Sequence, residues 1–234
     1  MSEKRSVKIG VVDSGINPYH SHIANVIGGI SITVGKNMYL QYDNDYRDRL
    51  GHGTAVAAAI LDEFPEGELY AIRIFQDSLS AYPTVLCTAI EWAIEQRLDI
   101  INLSLGIMEP SDELEALCLK AKEEGIFVIC AYDEERGFVF PGRYEGVIAV
   151  SSGELCKGEY QYFSDHHFLC CGYPRELNGD IQKYNLYGHS FASARFSGIL
   201  GKYLQKQPRF SYENVLAELM KNKNNFNERK DEGK

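Results

Sequence analysis

Short apolar runs alternate with amphipathic segments along the chain, and this alternation limits the possible folds more than any other feature. Buried strands are predicted where apolar residues are nearly continuous, over residues 8–15, 69–75, 99–106, 126–132 and 146–152. Helices are predicted over residues 54–64, 84–97, 111–125 and 211–222, and another is predicted to follow Ser190. Strands and helices in alternation favour a three-layer α/β sandwich, with a mostly parallel central sheet flanked by helices.

Composition narrows the class of protein and its partners. The chain has 234 residues and a formal net charge of −9, which argues against general nucleic-acid binding, since that function needs a basic surface. No apolar run approaches the ~18 residues of a membrane span, and the N-terminus lacks the apolar run of a secretory signal. We expect one domain over residues 1–222, followed by a polar, disordered tail over residues 223–234.

The cysteines bear on the cellular compartment. None forms a C-x-x-C pair of the kind that binds zinc, and Cys87, Cys118 and Cys130 lie inside apolar runs, where free cysteine behaves as a small hydrophobic residue. The adjacent Cys170 and Cys171 leave open a redox-active pair, as against two free thiols. Free thiols are typical of the reducing cytoplasm, so we expect a cytoplasmic location.

Three polar residues stand where a parallel α/β sheet forms its binding sites, at strand ends and the helix starts beside them. Asp13 closes the first predicted strand, His52 lies between two glycines in "GHGTAVAAA", and Ser190 precedes a helix in "GHSFASARFSG". Alone, each has an ordinary explanation, as a turn residue or a helix cap. Together they have a chemical meaning, because a serine hydroxyl becomes a nucleophile beside a base.

The order Asp, His, Ser and several segments resemble the subtilases, the subtilisin-like serine peptidases. The segments include "VVDSGI", "GHGTAVA", "INLSLG", "FPGRYEGVIAV" and "GHSFASARFSG", so the resemblance extends over nearly the whole chain. It implies a serine endopeptidase in which Ser190 attacks the peptide bond, His52 accepts its proton and Asp13 orients the imidazole. The backbone N–H of Ser190 would then help to bind the oxyanion.

The resemblance also implies a peptide or protein substrate bound as an extended strand. The family's wall for backbone pairing is matched by Ser104, Leu105 and Gly106, which otherwise only end a core strand. Its primary specificity pocket is matched by Ala131, Tyr132 and Val139. Tyr132 and Val139 replace smaller residues, which predicts a shallow pocket for small side chains; the alternative is that Tyr132 turns away from the pocket.

The sequence departs from the family around the nucleophile. Asp133 stands where the family places its oxyanion-binding asparagine, unless an alternative alignment puts another residue there. An ionised carboxylate would repel the oxyanion, whereas a protonated one would donate a hydrogen bond, so we expect Asp133 to slow catalysis without abolishing it. His189 replaces a threonine and is a candidate alternative base, and Ala194, followed by Arg195, replaces a proline.

No cofactor is expected. Calcium is the metal considered, because oxygen ligands are offered by Asp43, Asn44, Asp45 and Asp48. Their spacing matches no EF-hand loop, so a solvated acidic loop is the preferred interpretation. The histidines at positions 20, 22, 166 and 167 lack metal-ligand spacing and are interpreted as structural or exposed.

Two functions follow from these features. In the first, the chain is a cytoplasmic endopeptidase for limited processing of a peptide or protein precursor, for example leader removal. Only twelve residues precede Asp13, so we expect either that the chain folds without a propeptide of the usual length or that the sequence is a trimmed mature form. In the second, a degenerate subtilase binds a peptide or protein without cleaving it. The complete set of Asp13, His52 and Ser190 favours the enzyme, whereas Tyr132 and Asp133 favour the binding module; no oligomeric state is predicted.

Overall fold

The computed structural model describes residues 5–177, 187–207 and 210–221, which contain one nine-stranded sheet and five helices. The strands are β1 (Lys8–Asp13), β2 (Val26–Val34), β3 (Leu40–Asp43), β4 (Glu68–Arg73), β5 (Ile100–Leu103), β6 (Phe127–Ala131), β7 (Val147–Gly153), β8 (Tyr160–Ser164) and β9 (His167–Cys171). The helices are α1 (His52–Glu63), α2 (Pro83–Glu95), α3 (Asp112–Glu123), α4 (His189–Gln205) and α5 (Tyr212–Leu219).

The sheet is mostly parallel, and β1 lies near its centre. The strand order is β3-β2-β4-β1-β5-β6-β7-β9-β8. Only the edge strands β3 and β8 pair antiparallel with their neighbours. The carboxyl ends of β1, β5 and β6 therefore lie side by side at one edge of the sheet.

Helices cover both faces of the sheet and enclose two hydrophobic cores. On one face, Ile60 of α1, Phe196 of α4 and Val215 of α5 are buried with strand residues. On the other face, Ile90 of α2 and Leu114 of α3 are buried in the same way. Each fully buried side chain of this kind stabilises the fold by about 1.5–3 kcal/mol. The arrangement confirms the predicted three-layer α/β sandwich; none of the helices in the described residues is long and apolar enough to cross a membrane.

Four strands were not predicted from the sequence, namely β2, β3, β8 and β9. β2, β3 and β8 lie toward the two sides of the sheet and consist mostly of partly exposed or exposed residues. β9 has a short apolar run over residues 168–171 that the sequence analysis did not interpret as a strand. The helix predicted over residues 54–64 begins earlier, at His52. The tail predicted over residues 223–234 lies outside the described residues.

The starts of the helices differ in a way that bears on the site. Ser111 caps α3 by accepting the N–H of Leu114 at 3.3 Å, and Ser211 caps α5 by accepting the N–H of Asn214 at 3.2 Å. α4 begins instead after Gly188, which provides no side-chain cap. Since the first N–H groups of a helix have no acceptor within it, the start of α4 presents the N–H of Ser190 to a ligand.

Candidate active site

The predicted site residues meet at the carboxyl edge of the sheet. Asp13 is the last residue of β1, Ser104 directly follows β5, and Asp133 lies two residues beyond β6. The two helices α1 and α4 begin at this edge and carry His52 and Ser190 in their first turns. Residues that are far apart in the sequence are thereby brought together by the parallel topology.

The contact between Asp13 and His52 is the best-defined feature of the site. His52 Nδ1 lies 2.9 Å from each carboxylate oxygen of Asp13. Asp13 is fully buried, and its Oδ1 also accepts the N–H of Ser14 at 2.6 Å. Because an ionised carboxylate only accepts hydrogen bonds, Nδ1 of the neutral ring carries the proton and Nε2 is left as the basic nitrogen.

Two glycines allow α1 to begin against the end of β1. Gly51 precedes the helix with a φ of 86°, in the left-handed region that other residues adopt only with strain. At Gly53, a Cβ atom would lie 2.2 Å from the carbonyl oxygen of Gly15 and 3.1 Å from the side chain of Asp13. Any side chain at residue 53 would therefore push His52 away from Asp13.

Asp48 holds the start of α1, a role that the sequence analysis did not assign to it. Its Oδ1 accepts the N–H groups of Leu50 and Gly51 at 2.9 and 2.8 Å, and the hydroxyl of Ser14 at 2.9 Å. Its Oδ2 accepts the N–H and the hydroxyl of Thr54 at 2.8 and 2.6 Å. The interpretation as a solvated acidic loop is therefore wrong for Asp48. The available signal was an acidic residue shortly before a helix start, where capping residues occur.

The charges around His52 make it a stronger base. Burial lowers the pKa of His52, but the charge and hydrogen bond of Asp13, with a contribution from the charge of Asp48, raise that pKa by more. The pKa of His52 therefore lies above its ordinary value of about 6.5. A base of this kind accepts a serine proton more readily, and it stops working when the pH falls below its pKa.

Ser190 lies beside this pair, with its hydroxyl turned to another partner. Ser190 Oγ donates a hydrogen bond to the carbonyl oxygen of Ser104 at 3.0 Å. The ring of Phe191, the next residue, lies 5.8 Å from the ring of His52 between centroids. Within the described parts of the chain, no hydrogen bond joins Ser190 to His52. The structure thus brings Asp13 and His52 into contact and directs the hydroxyl of Ser190 to the sheet.

Asn102 holds Ser104, whose carbonyl oxygen accepts the hydrogen bond of the Ser190 hydroxyl. This role of Asn102 was not identified from the sequence. Its side chain is fully buried in β5, where Nδ2 donates to Ser104 Oγ at 2.9 Å. Its Oδ1 accepts the hydroxyl of Ser197, on α4, at 3.0 Å. Asn102 therefore joins the strand that carries Ser104 to the helix that carries Ser190. A polar residue within an apolar strand was the signal, because buried polar groups need hydrogen-bond partners.

Arg195 joins the two helices that carry His52 and Ser190, and sequence reasoning also missed this role. Arg195 belongs to α4 and its side chain is fully buried. It donates a hydrogen bond to Oε1 of Glu63, the last residue of α1, at 2.5 Å. It also donates to Asp62 Oδ2 at 3.0 Å. The contacts span more than 130 positions of the sequence, so no local pattern predicts them.

The predicted substrate wall has unpaired backbone beside Ser190. The N–H and C=O of Ile107 are bonded to Phe140 at 2.7 and 3.1 Å. By contrast, the N–H and C=O groups of Leu105 and Gly106 have no hydrogen-bond partner among the residues that the structure describes. Backbone groups of this kind are the ones with which an extended peptide pairs.

The residues of the predicted specificity pocket are buried and closely packed. Ala131 ends β6, and Tyr132 and Val139 pack together with Ala149. The ring of Tyr132 also lies 4.8 Å from the ring of His167 between centroids. Only 8% of Tyr132 is exposed, so its ring fills space beside Val139.

Asp133 and His189 face each other next to Ser190. Asp133 Oδ1 accepts the N–H of Arg136 at 3.0 Å, and Asp133 Oδ2 lies 3.7 Å from His189 Nε2. His189 Nδ1 accepts the backbone N–H of Ser152 at 2.9 Å. The interpretation of His189 as an alternative base is not supported, because its acceptor nitrogen is occupied by a backbone donor.

The acidic loop considered for calcium is held by arginines and by helix capping. Asp45 pairs with Arg47 at 2.7 Å and with Arg49 at 3.1 Å. Across residues 5–177, 187–207 and 210–221, no group of three or more His, Cys, Asp or Glu residues is placed to hold a metal ion.

Comparison with known proteins identifies the family to which this chain belongs. The sequence model described as "Subtilase family" matches residues 4–233. The chain belongs to the subtilase family. This subtilase is 30% identical to Subtilisin DY of Bacillus licheniformis over 233 residues and 33% identical to Subtilisin of Bacillus pumilus over 235 residues. Each alignment covers 92% of this chain and 82% of the relative, and the chain is a serine endopeptidase.

Solved structures show the same fold. The subtilase matches Sphericase with a TM-score of 0.73 at 22% identity, covering 93% of this chain and 83% of that one. It matches the S41 Psychrophilic Protease with a TM-score of 0.70 at 22% identity, covering 92% and 82%. These likenesses support the three-layer architecture with its mostly parallel sheet.

Proposed function

We propose that the endopeptidase works through Asp13, His52 and Ser190, and the contact between His52 and Asp13 carries this proposal. Ser190 Oγ attacks the carbonyl carbon of the scissile bond and gives its proton to His52 Nε2, while the carbonyl electron pair moves to oxygen. When the tetrahedral intermediate collapses, the C–N bond breaks, the leaving amine takes the proton from His52, and the acyl group stays on Ser190 Oγ as an acyl-enzyme. Water then gives a proton to His52 Nε2 and attacks this ester, and the acid product leaves as Ser190 Oγ regains its proton from His52. Asp13 keeps its charge throughout and stabilises the imidazolium.

The hydroxyl of Ser190 has to turn before it can react. It now donates to the carbonyl oxygen of Ser104 at 3.0 Å, so rotation about the Cα–Cβ bond of Ser190 exchanges this acceptor for His52 Nε2. Such adjustments are expected, because catalytic hydrogen bonds often tighten only when substrate is bound. A substrate backbone paired with Leu105 and Gly106 would place its carbonyl group beside Ser190.

The proposed substrate is a peptide or protein segment bound as an extended strand, with a small side chain before the cleaved bond. Tyr132 and Val139 support this selectivity because their packed side chains reduce the room in the pocket. A restrictive pocket fits limited processing of a precursor, for example leader removal, better than general digestion. No cofactor is proposed, because the chemistry described needs only side chains and backbone groups.

We further propose a cytoplasmic location. Five of the six cysteines are buried and all six are free, which fits a reducing compartment. A relative 32% identical to this chain, from Bacillus subtilis (strain 168), is called "Minor extracellular protease Epr", so the location needs its own test. Cell fractionation with an antibody to the chain gives that test, and recovery only from the medium would overturn the cytoplasmic location.

The test of the catalytic proposal is cleavage of a peptide library, with products identified by mass spectrometry. We expect cleavage after small residues by the wild type and no cleavage by Ser190→Ala. Ser211→Ala removes the cap of α5 and leaves the site intact, so it serves as a serine control that keeps cleavage. A wild type that binds peptides as tightly as Ser190→Ala, but cleaves none, would instead support the binding module.

If the substrate is a precursor, the number of cleavage products should be small. Folded proteins should survive incubation with the wild type, whereas precursors with an extended segment should be cut at one or two positions. Fragmentation of every protein in the mixture would overturn limited processing and leave the catalytic proposal standing.

A further inference from the structure

We propose that the Nε2–H of His189 is the side-chain donor of the oxyanion hole in this chain, acting beside the backbone N–H of Ser190. The inference rests on the proposed function, in which Ser190 is the nucleophile. From the sequence we expect Asp133 at the position of the family's amide donor, and His189 is the group that donates in its place.

The hydrogen bonds of His189 fix where its proton lies. The backbone N–H of Ser152 donates to His189 Nδ1 at 2.9 Å, and Ser152 Oγ lies 3.1 Å from the same nitrogen. A backbone N–H only donates, so Nδ1 must present its lone pair and the neutral ring must carry its proton on Nε2. Burial lowers the pKa of His189, and the charge of Arg136 lowers it further, against the opposing effect of Asp133. The ring is therefore a neutral N–H donor at neutral pH.

The position of Nε2 suits a donor to the oxyanion. His189 is the first residue of α4 and directly precedes Ser190, whose N–H points out of the same helix end. Nε2 faces the turn after β6, at 3.7 Å from Asp133 Oδ2, and a third of the His189 side chain is exposed. A separation of 3.7 Å is too long for a hydrogen bond, so the Nε2–H remains available for a substrate oxygen.

Asp133 is built as an acceptor and is a poor candidate for the donor. Its Oδ1 accepts the N–H of Arg136 at 3.0 Å, and its Oδ2 lies 3.7 Å from Arg136 Nε. Asp133 Oδ1 is thus already engaged as an acceptor by a backbone donor. Asp133 then acts through His189, because its negative charge faces the Nε2–H and orients the ring. During attack the oxyanion accepts hydrogen bonds from Ser190 and His189, and His189 neither gains nor loses a proton.

The first test compares His189→Gln with His189→Met, which have similar length but differ in the N–H donor. We expect Met to lower kcat about 10²- to 10³-fold with little change in KM, as loss of one oxyanion donor does in subtilisin. Gln should stay within about tenfold of the wild type, a difference of about 1.4 kcal/mol in the barrier. Equal activity of the two variants, or an effect confined to KM, would overturn the inference.

A double-mutant cycle distinguishes a donor role of His189 from a purely structural role, because only a donor role makes the loss of kcat depend on the residue at position 133. In the Asp133→Asn background the new amide can donate, so the loss caused by His189→Met should shrink to less than about tenfold. The same loss in both backgrounds would contradict the inference. The acid limb of kcat/KM should also stay in place in His189→Met, and its displacement would show that His189 acts on His52 instead.

The wild type offers a measurement that needs no variant. In ¹⁵N-histidine NMR, binding of a peptide aldehyde at Ser190 should shift the Nε2–H proton of His189 downfield as the oxyanion forms. An unchanged signal on a labelled, modified enzyme would overturn the inference. Failure of the wild type to cleave peptides or react with the aldehyde would count against the proposed function itself, so the two failures are distinguishable.

Discussion

Replacement of Asp13 by asparagine tests the contact on which the catalytic proposal rests. The variant keeps the side-chain shape, but it loses the charge and turns one of the two oxygens at 2.9 Å from His52 Nδ1 into an NH₂ group. An NH₂ group facing Nδ1 places the ring proton on Nε2, where a base for Ser190 is needed. Loss of the equivalent aspartate in subtilisin lowers kcat about 3 × 10⁴-fold, or about 6 kcal/mol of barrier, and we expect a similar loss.

The same variant has a predicted pH dependence. Burial lowers the pKa of His52 and the charge of Asp13 raises it, so removing that charge lowers the pKa of His52. Neutral His52 is the active form, so the acid limb of kcat/KM should move to lower pH while the plateau falls. The assay is kcat/KM for a chromogenic peptide over roughly pH 4–9, with thermal unfolding as a control for folding. A loss below tenfold, or an acid limb that moves upward, would refute the reasoning.

Three further substitutions have defined outcomes. Asp48→Ala leaves the N–H of Thr54 and its neighbours without acceptors, so we expect about 2–4 kcal/mol less stability in urea unfolding and a lower kcat; unchanged stability would contradict the capping role. Tyr132→Gly opens the pocket, and library cleavage should shift toward larger side chains before the cut; an unaltered preference would show that Tyr132 does not limit the pocket. Arg195→Leu removes the positive partner of Glu63, which keeps the backbone N–H of Gly158, and should cost about 3–5 kcal/mol in the same unfolding assay, whereas wild-type stability would mean that the ion pair contributes nothing.

The interior of the fold was predictable because its strands are buried on both faces. The runs "KIGVVD", "IINL" and "FVICA" consist almost entirely of buried residues, so hydrophobicity marks them directly. β2 lacks such a mark, since its two central glycines and partly exposed residues resemble a loop. β3 and β8 are held by pairing at the sheet edges, which depends on partners distant in the sequence.

The residues of the candidate site could be predicted from the sequence, whereas the hydrogen bonds between them could not. Asp13, His52 and Ser190 were singled out by their residue types, by their positions at strand and helix ends, and by the resemblance to the subtilases. The acceptor of the Ser190 hydroxyl depends on Ser104, 86 positions away, and no local pattern specifies that hydrogen bond. The role of Arg195 likewise depends on its hydrogen bond to Glu63 at the end of α1, a residue that is close to Arg195 only in the folded chain.

The most direct test of the account is the rate at which a fluorophosphonate modifies the protein, followed as a function of pH and mapped by mass spectrometry. We predict a single modified residue, Ser190, and a rate that rises with pH through the pKa of one group above about 6.5. In His52→Ala the rate should fall by at least about 10³-fold and lose this pH dependence. Modification at the same rate in both proteins, or at a residue other than Ser190, would contradict the account.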